Sequence, residues 1–254
     1  MNSIEVIKYL ESKYPKSLAY EWDNVGLQVG TLNRKVKTVL VTLDVTKEVI
    51  NEAIENKVDL LISHHPLIFK PLTSIAIESP RGWMINKLIK HDIALYSMHT
   101  NYDLADGGMN DVLSKLLEIN NPQLLDTIDG IGRFGSIKPL KMPDFIQKLK
   151  ATLKIDMVRF IGSLDKVVNI VGISGGSGSN HVGQAKKQNC DVYITGDVTY
   201  HTALDCVQMG LNVIDIGHYA EQVFKNAIKQ ELETVFPEIT IISSTVNSDP
   251  YITL

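Results

Sequence analysis

Short apolar runs alternate with segments of helical spacing through the first half of the chain. Residues 37–44, 58–63 and 93–98 read "KTVLVTLD", "VDLLIS" and "IALYSM", and these β-branched and aliphatic runs predict buried strands. The segments after them place apolar residues three and four apart, which predicts amphipathic helices: "TKEVINEAIEN", "PRGWMINKLIKHD" and "GMNDVLSKLLEI". The predicted order is therefore β-α-β-α-β-α.

The same order returns from residue 167 onward. The second series comprises "VVNIVGIS", "NHVGQAKKQNC", "DVYIT", "VTYHTALDCVQM", "NVIDIG" and "HYAEQVFKNAIKQEL". Residues 59–65 match 191–197, and residues 94–98 match 212–216. With the offset of the second match, Asp103 aligns with Glu221. Six elements in matching order predict an internal duplication.

Alternating strands and helices predict an α/β fold with mostly parallel sheets, because parallel strands need crossover connections. Residues 133–162 suggest strand, helix, strand and are assigned to the second lobe. We expect a single unit over 1–254, with lobe one at about 1–126 and lobe two at about 127–254. Because no low-complexity linker separates the lobes, we expect them to pack against each other.

Composition and charge exclude several classes of protein. The chain has 254 residues, of which 44% are hydrophobic and 21% charged, with a formal net charge of −4. Interspersed charges of both signs provide no footprint for a nucleic acid or an anionic membrane. No apolar stretch approaches the roughly 20 residues of a membrane span, and the amphipathic "MNSIEVIKYLESKYP" predicts a surface helix rather than a signal peptide. We expect a cytoplasmic protein whose two cysteines, Cys190 and Cys206, are reduced and buried.

Candidate chemistry gathers after the predicted strands, where ligand sites form in such sheets. Four segments lie there: "SHHP", "HTNYD", "GDVTYH" and "GHYAEQ". Their metal-ligating side chains are His64, His65, His99, Asp103, Asp197, His201, His218 and Glu221. Five of the seven histidines of the chain are in this set.

The His-His pair suggests two metal ions rather than one. In a regular strand His64 and His65 would point to opposite faces, and Pro66 ends the strand pairing. One imidazole for each of two ions satisfies this geometry, and Asp103 and Glu221 could bridge them. With about four ligands per ion, two ions have roughly eight coordination positions. Three histidines fill three of them, and two carboxylates that each bridge both ions fill four, which leaves one for water. Imidazole and carboxylate ligands suit Zn, Mn, Fe, Co or Ni.

Several of these residues also have ordinary structural interpretations. A His-His pair alone is most often a hydrogen-bonding pair, and Asp197 could cap a helix. His99 and His201 are interpreted as neighbours of the ligands or as substrate-facing groups that can carry a proton. Two other histidines, His91 and His181, are expected on the solvated surface.

Two further segments, one glycine-rich and one around Trp22, are distinct from the four that follow the strands. "GISGGSGSNH" follows a strand and opens a helix, so Gly175, Gly176, Ser177 and Gly178 could cradle a phosphate with their N–H groups; a tight strand-to-helix turn is the equal alternative. In "EWDNVGLQVG", Trp22 is expected to have a packing role and Asp23 and Asn24 to form a turn, and the segment is expected to have no chemistry of its own.

The ordered set "WDNVGLQVG", "SHHPLIF", "HTNYD", "GDVTYH" and "GHYAEQ" resembles the Nif-three-like family, known as GTP cyclohydrolase I type 2 homologues. The resemblance implies a homohexameric, toroid-like assembly of duplicated α/β lobes. It also implies two divalent metal ions per subunit, with ligands on His64, His65, Asp103, His218 and Glu221. Because only the short 133–162 segment separates the lobes, the chain is expected to be the compact form of the family.

Three hypotheses for function follow from this ligand set and this resemblance. The first is metal-assisted hydrolysis, in which a metal-activated water attacks a purine nucleotide and His99 or His201 moves the proton. The second is a non-catalytic metal-binding scaffold or metal-delivery protein. The third is another two-metal hydrolase, a phosphodiesterase or a cyclic-amide hydrolase.

Overall fold

The computed structural model describes residues 1–252. The chain forms two compact units, and their bounds differ from those of the two predicted lobes. Unit 1 contains Met1–Asp106 and Phe224–Pro250, and unit 2 contains Gly107–Val223 together with Tyr251 and Ile252. Residues 107–126 belong to unit 2 because their strand pairs with the sheet of that unit, and the last helix and strand return to unit 1.

Unit 1 is built on a five-stranded sheet with the order β1-β4-β3-β2-β11. The pairs β11-β2, β2-β3 and β3-β4 are parallel, and β1 is antiparallel to β4. Its strands are β1 Gly26–Val29, β2 Thr38–Thr42, β3 Leu60–Ser63, β4 Ala94–Ser97 and β11 Thr240–Ser243. Its helices are α1 Ser3–Lys13, α2 Lys47–Glu55, α3 Pro80–Lys90, α4 Thr100–Leu104 and, after Val223, α9 Val223–Val235.

Unit 2 is built on a six-stranded sheet with the order β5-β6-β8-β9-β10-β7. Only β8-β9 and β9-β10 are parallel pairs here, so this sheet is mixed. Its strands are β5 Asn120–Leu124, β6 Arg133–Lys141, β7 Arg159–Ile161, β8 Val167–Ile173, β9 Val192–Thr195 and β10 Asn212–Asp215. Its helices are α5 Met109–Leu116, α6 Met142–Leu153, α7 Val182–Lys187 and α8 Tyr200–Met209.

The predicted α/β architecture is confirmed, and each unit contains three consecutive parallel strands with helices between them. These strands are β2, β3 and β4 in unit 1 and β8, β9 and β10 in unit 2. The residues of β2, β3, β4, β9 and β10 are almost all buried because helices cover both faces of a parallel sheet, whereas β8 is exposed at Val167 and Asn169. Three strands and one helix were not predicted: β1, β5 and β11, and the short helix α4, which begins just after His99.

Helix boundaries follow local capping chemistry. The Thr46 hydroxyl accepts a hydrogen bond from the Val49 N–H at the start of α2, and the Ser79 hydroxyl accepts one from the Gly82 N–H at the start of α3. Helix α8 ends at Gly210, whose positive φ of 64° is the left-handed conformation that glycine adopts without strain. Within residues 1–252, no helix is both long enough and apolar enough to cross a lipid bilayer.

Candidate metal centre

The carboxyl ends of β2, β3 and β4 in unit 1 bring several histidines to one edge of the sheet. Because the three strands are parallel and in register, the residues that follow them emerge side by side. Strand β3 ends at Ser63, so His64 and His65 lie just beyond it. The alternation of side chains between the two faces of the sheet therefore no longer applies to them. Their ring centroids are 5.0 Å apart. His99 follows β4, and one ring nitrogen from each of the three histidines lies within 4.8 Å of the others.

Each of these imidazoles is held through its Nδ1 atom. Nδ1 of His64 lies 2.7 Å from the Met98 carbonyl oxygen, and Nδ1 of His65 lies 2.7 Å from Oδ1 of Asp44. A carbonyl or carboxylate oxygen can only accept, so Nδ1 carries the proton in each ring. The Nε2 lone pair of both histidines is therefore directed at the site, as in metal-binding histidines.

Asp103 lies beside His64 in the interior of unit 1. It sits in α4, where its N–H donates to the His99 carbonyl oxygen, and it is only 9% exposed. Its Oδ1 is 3.5 Å from Nε2 of His64, which is itself fully buried. A buried imidazole nitrogen and a buried carboxylate oxygen thus lie next to each other.

His99 is oriented by Asp23, a residue for which the sequence predicted no chemistry. Nδ1 of His99 lies 3.0 Å from Oδ1 of Asp23, and Oδ2 accepts hydrogen bonds from the N–H and hydroxyl of Thr100. Burial alone would raise the pKa of Asp23, but the hydrogen bonds from His99 and Thr100 outweigh it and lower the pKa to about 2. Asp23 is therefore ionised and fixes the orientation of the His99 ring.

Unit 2 contains a second imidazole-carboxylate pair after β10. His218 and Glu221 lie in the 3-10 turn His218–Gln222, in which residues three apart are eclipsed. Nε2 of His218 is 3.3 Å from Oε2 of Glu221, and the Glu221 side chain is buried. Nδ1 of His218 lies 2.7 Å from Oδ2 of Asp197. The prediction that His218 and Glu221 share a face is confirmed, although the turn is 3-10 rather than α-helical.

Asp197 is not the helix cap that was considered for it. Its φ of 54° places it in a left-handed turn after β9, and the N-terminus of α8 is capped instead by Thr199. The Asp197 carboxylate orients His218, as Asp44 orients His65.

The glycine turn after β8 surrounds the Glu221 carboxylate. A Cβ atom added at Gly175 or Gly176 would lie 3.1 or 2.7 Å from Oε1 of Glu221. The N–H groups of Gly175 and Gly178 already donate to Asn110 and Thr195. The predicted phosphate cradle of Gly175, Gly176, Ser177 and Gly178 therefore has two of its N–H groups engaged, and the turn packs against an acidic side chain.

Other predicted positions lie away from these pairs. His201 is exposed on α8, where its ring contacts Tyr200, and among the described residues it joins no group of ligand atoms. His91 is exposed as expected. The expectation for His181 was wrong, because it is buried and its Nδ1 lies 3.3 Å from Oδ2 of Asp126.

Trp22 packs against the rings of Tyr20 and Phe69, as expected, although 59% of it is exposed. Cys190 and Cys206 are both free and buried, as predicted. Burial raises the pKa of the Cys190 thiol to about 12, which leaves it protonated and unreactive near neutral pH.

Both imidazole-carboxylate pairs have the dimensions of metal ligands. Two ligand atoms about 2.1 Å from one ion at a tetrahedral angle are separated by about 3.4 Å. The observed separations are 3.5 Å for His64 and Asp103 and 3.3 Å for His218 and Glu221. The nitrogen and oxygen donors, the Nε2 lone pairs and these distances fit a divalent ion in each unit.

Another cluster of possible metal-ligating side chains was not predicted from the sequence. Asp126, Asp129 and His181 in unit 2 also place ligand atoms within 4.8 Å of one another. Oδ1 of Asp126 accepts hydrogen bonds from the N–H groups of Ile128 and Asp129. These bonds, together with that of His181, give the carboxylate a structural role in its loop.

Comparisons with known proteins agree with this fold. The sequence matches the family described as Duf34/NIF3 (NGG1p interacting factor 3) over residues 1–250. It is 37% identical to the "GTP cyclohydrolase 1 type 2 homolog" of Streptococcus pneumoniae over 262 residues, covering 99% of each chain. The crystal structure of the Bacillus cereus protein related to NIF3 superposes with a TM-score of 0.95 at 29% identity, covering 100% of this chain and 99% of that one.

The length of a second relative supports the expectation of a compact form. The Listeria monocytogenes "GTP cyclohydrolase 1 type 2 homolog" is 33% identical over 366 aligned residues that cover 98% of both chains. This chain has only 254 residues, so that relative carries additional residues within the aligned region. The protein belongs to the Duf34/NIF3 family.

Proposed function

We propose that the protein is a hydrolase that uses two divalent metal ions, with His64, His65, Asp103, His218 and Glu221 as ligands. The observation that carries the proposal is the pair of matching geometries, one in each unit. In both, an imidazole with its Nδ1 anchored on an acceptor directs Nε2 toward a buried carboxylate at a metal-ligand separation. Metal-ligating histidines almost always donate their other ring N–H to such an acceptor.

The five ligands leave one coordination position for a water molecule, which is typical of a catalytic metal site. When bound, paired divalent ions lower the pKa of a water molecule and polarise the bond under attack. The candidate ions are Zn, Mn, Fe, Co and Ni, all of which accept imidazole and carboxylate ligands.

His99 is the proton carrier in this proposal. Its Nδ1 is held by an ionised Asp23, so only Nε2 exchanges a proton with a substrate or solvent molecule. Asp23 also stabilises the imidazolium that forms when His99 accepts a proton. His201 is the other candidate, but it is exposed on α8, and within residues 1–252 no acceptor orients its ring as Asp23 orients His99.

The substrate class in this proposal is a purine nucleotide, and it rests on relatives named as GTP cyclohydrolase 1 type 2 homologues. Addition of water to C8 of the purine would break the C8–N9 bond, with the proton going to N9 and the formyl group remaining on N7, so that the imidazole ring opens. The other two-metal hydrolases considered above, a phosphodiesterase or a cyclic-amide hydrolase, would use the same ligands on a different bond. A homohexamer is proposed as the working assembly.

Activity assays on metal-loaded protein test the hydrolase proposal. GTP and a panel of phosphodiesters and cyclic amides are incubated with the native protein and with Asp103→Asn, which keeps the size of the side chain and removes its charge. We expect turnover of at least one substrate by the native protein and a loss of at least about 100-fold in the variant. Activity that persists unchanged while Asp103→Asn loses its metal would refute the catalytic role and favour a metal-binding scaffold or delivery protein.

A further inference from the structure

Exposed aromatic rings surround His99 on the surface of unit 1. Trp22 is 59% exposed and Phe69 is 40% exposed, and the two rings lie together rather than scattered. The ring centroids of Trp22 and Phe69 are 5.8 Å apart, and each lies 6.2 Å from the centroid of His99. Tyr20 stacks on one face of the Trp22 ring, with centroids 5.5 Å apart and planes inclined by 26°.

These rings are held in place by the backbone around them. The Asn24 side-chain amide donates to the Ile68 carbonyl oxygen, and Oε1 of Gln28 accepts from the Ile68 N–H at 3.1 Å. The two bonds tie the loop that carries Trp22 to the segment that carries Phe69. Asp23, the neighbour of Trp22, binds His99 in turn. The exposed rings are therefore preorganised with respect to His99, and little side-chain entropy is lost when a ligand binds.

We propose that Trp22 and Phe69 form a stacking site for a planar heteroaromatic ring and hold it beside His99. Tyr20 stacks on the indole, and Phe69 and His99 meet it in edge-to-face contacts, while 59% of Trp22 and 40% of Phe69 remain exposed to a partner. Aromatic side chains stack on every nucleobase through its π-face. The site extends the proposed function, on which it rests, by naming the residues that recognise the substrate ring.

The small size of this surface favours a small molecule over a protein. Two large aromatic side chains expose at most about 500 Å² even when fully accessible. A standard protein interface buries about 800 Å² on each partner. The contact with His99, beside His64 and His65, gives a bound ring a chemical role that a structural interface would not need.

Tryptophan fluorescence can report on this site directly, because the chain has only two tryptophans. In a Trp83→Phe variant the remaining tryptophan is Trp22. Titration of this variant with guanosine 5′-monophosphate should quench its emission in a saturable manner, whereas ribose 5-phosphate, which lacks the ring, should not. The titration is run on metal-free and on metal-loaded protein.

Calorimetry on proteins that keep Trp83 measures the contribution of the ring. Trp22→Ala should weaken binding of guanosine 5′-monophosphate about five- to 150-fold, and Trp22→Phe should restore part of the loss because it keeps a ring. Ile89→Ala serves as the matched control, since Ile89 is also 59% exposed in unit 1 and lies on α3. It should bind as the native protein does.

The outcomes separate this site from the proposed metal centre. Saturable quenching in a protein that binds no metal supports the stacking site and refutes the metal proposal alone. Metal binding without quenching, or unchanged affinity in Trp22→Ala, overturns the stacking site alone. A smaller native mass for Trp22→Ala, with unchanged affinity for the nucleotide, would assign the exposed rings to contacts between copies of the chain and also overturn it.

Discussion

Acceptors at Nδ1 control the direction of the histidines in this protein. Asp44 holds His65, Asp23 holds His99 and Asp197 holds His218, each at 2.7–3.0 Å. Asp44 is itself fixed, because Ser248 donates a hydrogen bond to its Oδ2 at 2.6 Å. These contacts fix the orientation of each ring, which would increase the affinity of the proposed centre for a divalent ion.

The substitution Asp44→Asn tests this orientation. An amide at this position can present its NH₂ group to Nδ1 and favours the wrong tautomer of His65, so divalent metal should bind about 10- to 100-fold more weakly. Isothermal calorimetry with Zn²⁺ or Mn²⁺ on stripped protein measures the change. Asp165→Asn, on an exposed loop, is the matched control. Unchanged affinity in Asp44→Asn would show that His65 does not depend on Asp44.

Asp23 links the site to stability at acid pH. Its pKa in the folded protein is about 2, below the ordinary value of 3.8, so the ionised carboxylate stabilises the fold above about pH 3.8. That stability is lost as the pH falls from 3.8 through 2. Asp23→Asn should therefore destabilise the protein at pH 5–7, and the difference from the native protein should shrink below about pH 4.

Urea unfolding at a series of pH values measures the effect of Asp23→Asn. Glu21→Gln removes a charge from an exposed neighbour in the same segment and serves as the control. A destabilisation by Asp23→Asn that stays constant from pH 7 to pH 3 would contradict the assigned pKa.

At the scale of elements, the turn after β8 and the 3-10 turn of His218 are fitted to each other. Gly176 has a φ of 57°, and a Cβ atom there would lie 2.7 Å from the Glu221 carboxylate. The glycine is needed both for the left-handed backbone and for the approach of the acidic side chain. The other glycines of "GISGGSG" have other neighbours: a Cβ atom at Gly178 would lie 2.6 Å from the Thr195 and Tyr193 oxygens.

Gly176→Ala should therefore displace Glu221. We expect metal affinity to fall by about tenfold or more, with a loss of about 1–2 kcal/mol in stability from the strained backbone. Gly183→Ala is the matched control, because an added Cβ meets nothing within 4 Å there and Gly183 lies inside α7. Calorimetry and thermal unfolding of both variants measure the contrast; equal metal affinities would exclude the proposed fit.

Much of the fold was predictable because its central strands are buried runs with strong β propensity. The three missed strands lack that signal. Strand β5, "NNPQL", is exposed throughout and contains proline, and β1 joins β4 through an irregular register. Their strand conformation depends on pairing with a neighbour rather than on local sequence. Helix α4 is only five residues long, too short for a periodic pattern.

The candidate site was predictable to the extent that its residues follow the strands. The histidines and carboxylates in "SHHP", "HTNYD" and "GHYAEQ" could be found from their positions. The residues that orient them could not, because a lone aspartate after a strand, such as Asp44, resembles an ordinary turn residue. Asp23 is 76 residues from His99, so their contact needs the tertiary structure.

At the scale of the whole molecule, the family predicts a ring of six chains, and the native mass tests it. Six chains of 28.3 kDa give about 170 kDa (6 × 28.3). Light scattering coupled to size-exclusion chromatography should find this mass for native protein at micromolar concentration. A single species of one or two chains would contradict the hexamer while leaving the metal ligands of each chain untouched.

The central claim is that each chain binds two divalent ions through His64, His65, Asp103, His218 and Glu221. Elemental analysis of gently purified protein, repeated after saturation with Zn²⁺ or Mn²⁺ and desalting, tests it most directly. We predict about two ions per chain in the native protein, a clear loss in Asp103→Asn and Glu221→Gln, and no loss in Asp165→Asn. Fewer than about half an ion per chain after saturation, or two ions retained by both ligand variants, would contradict it.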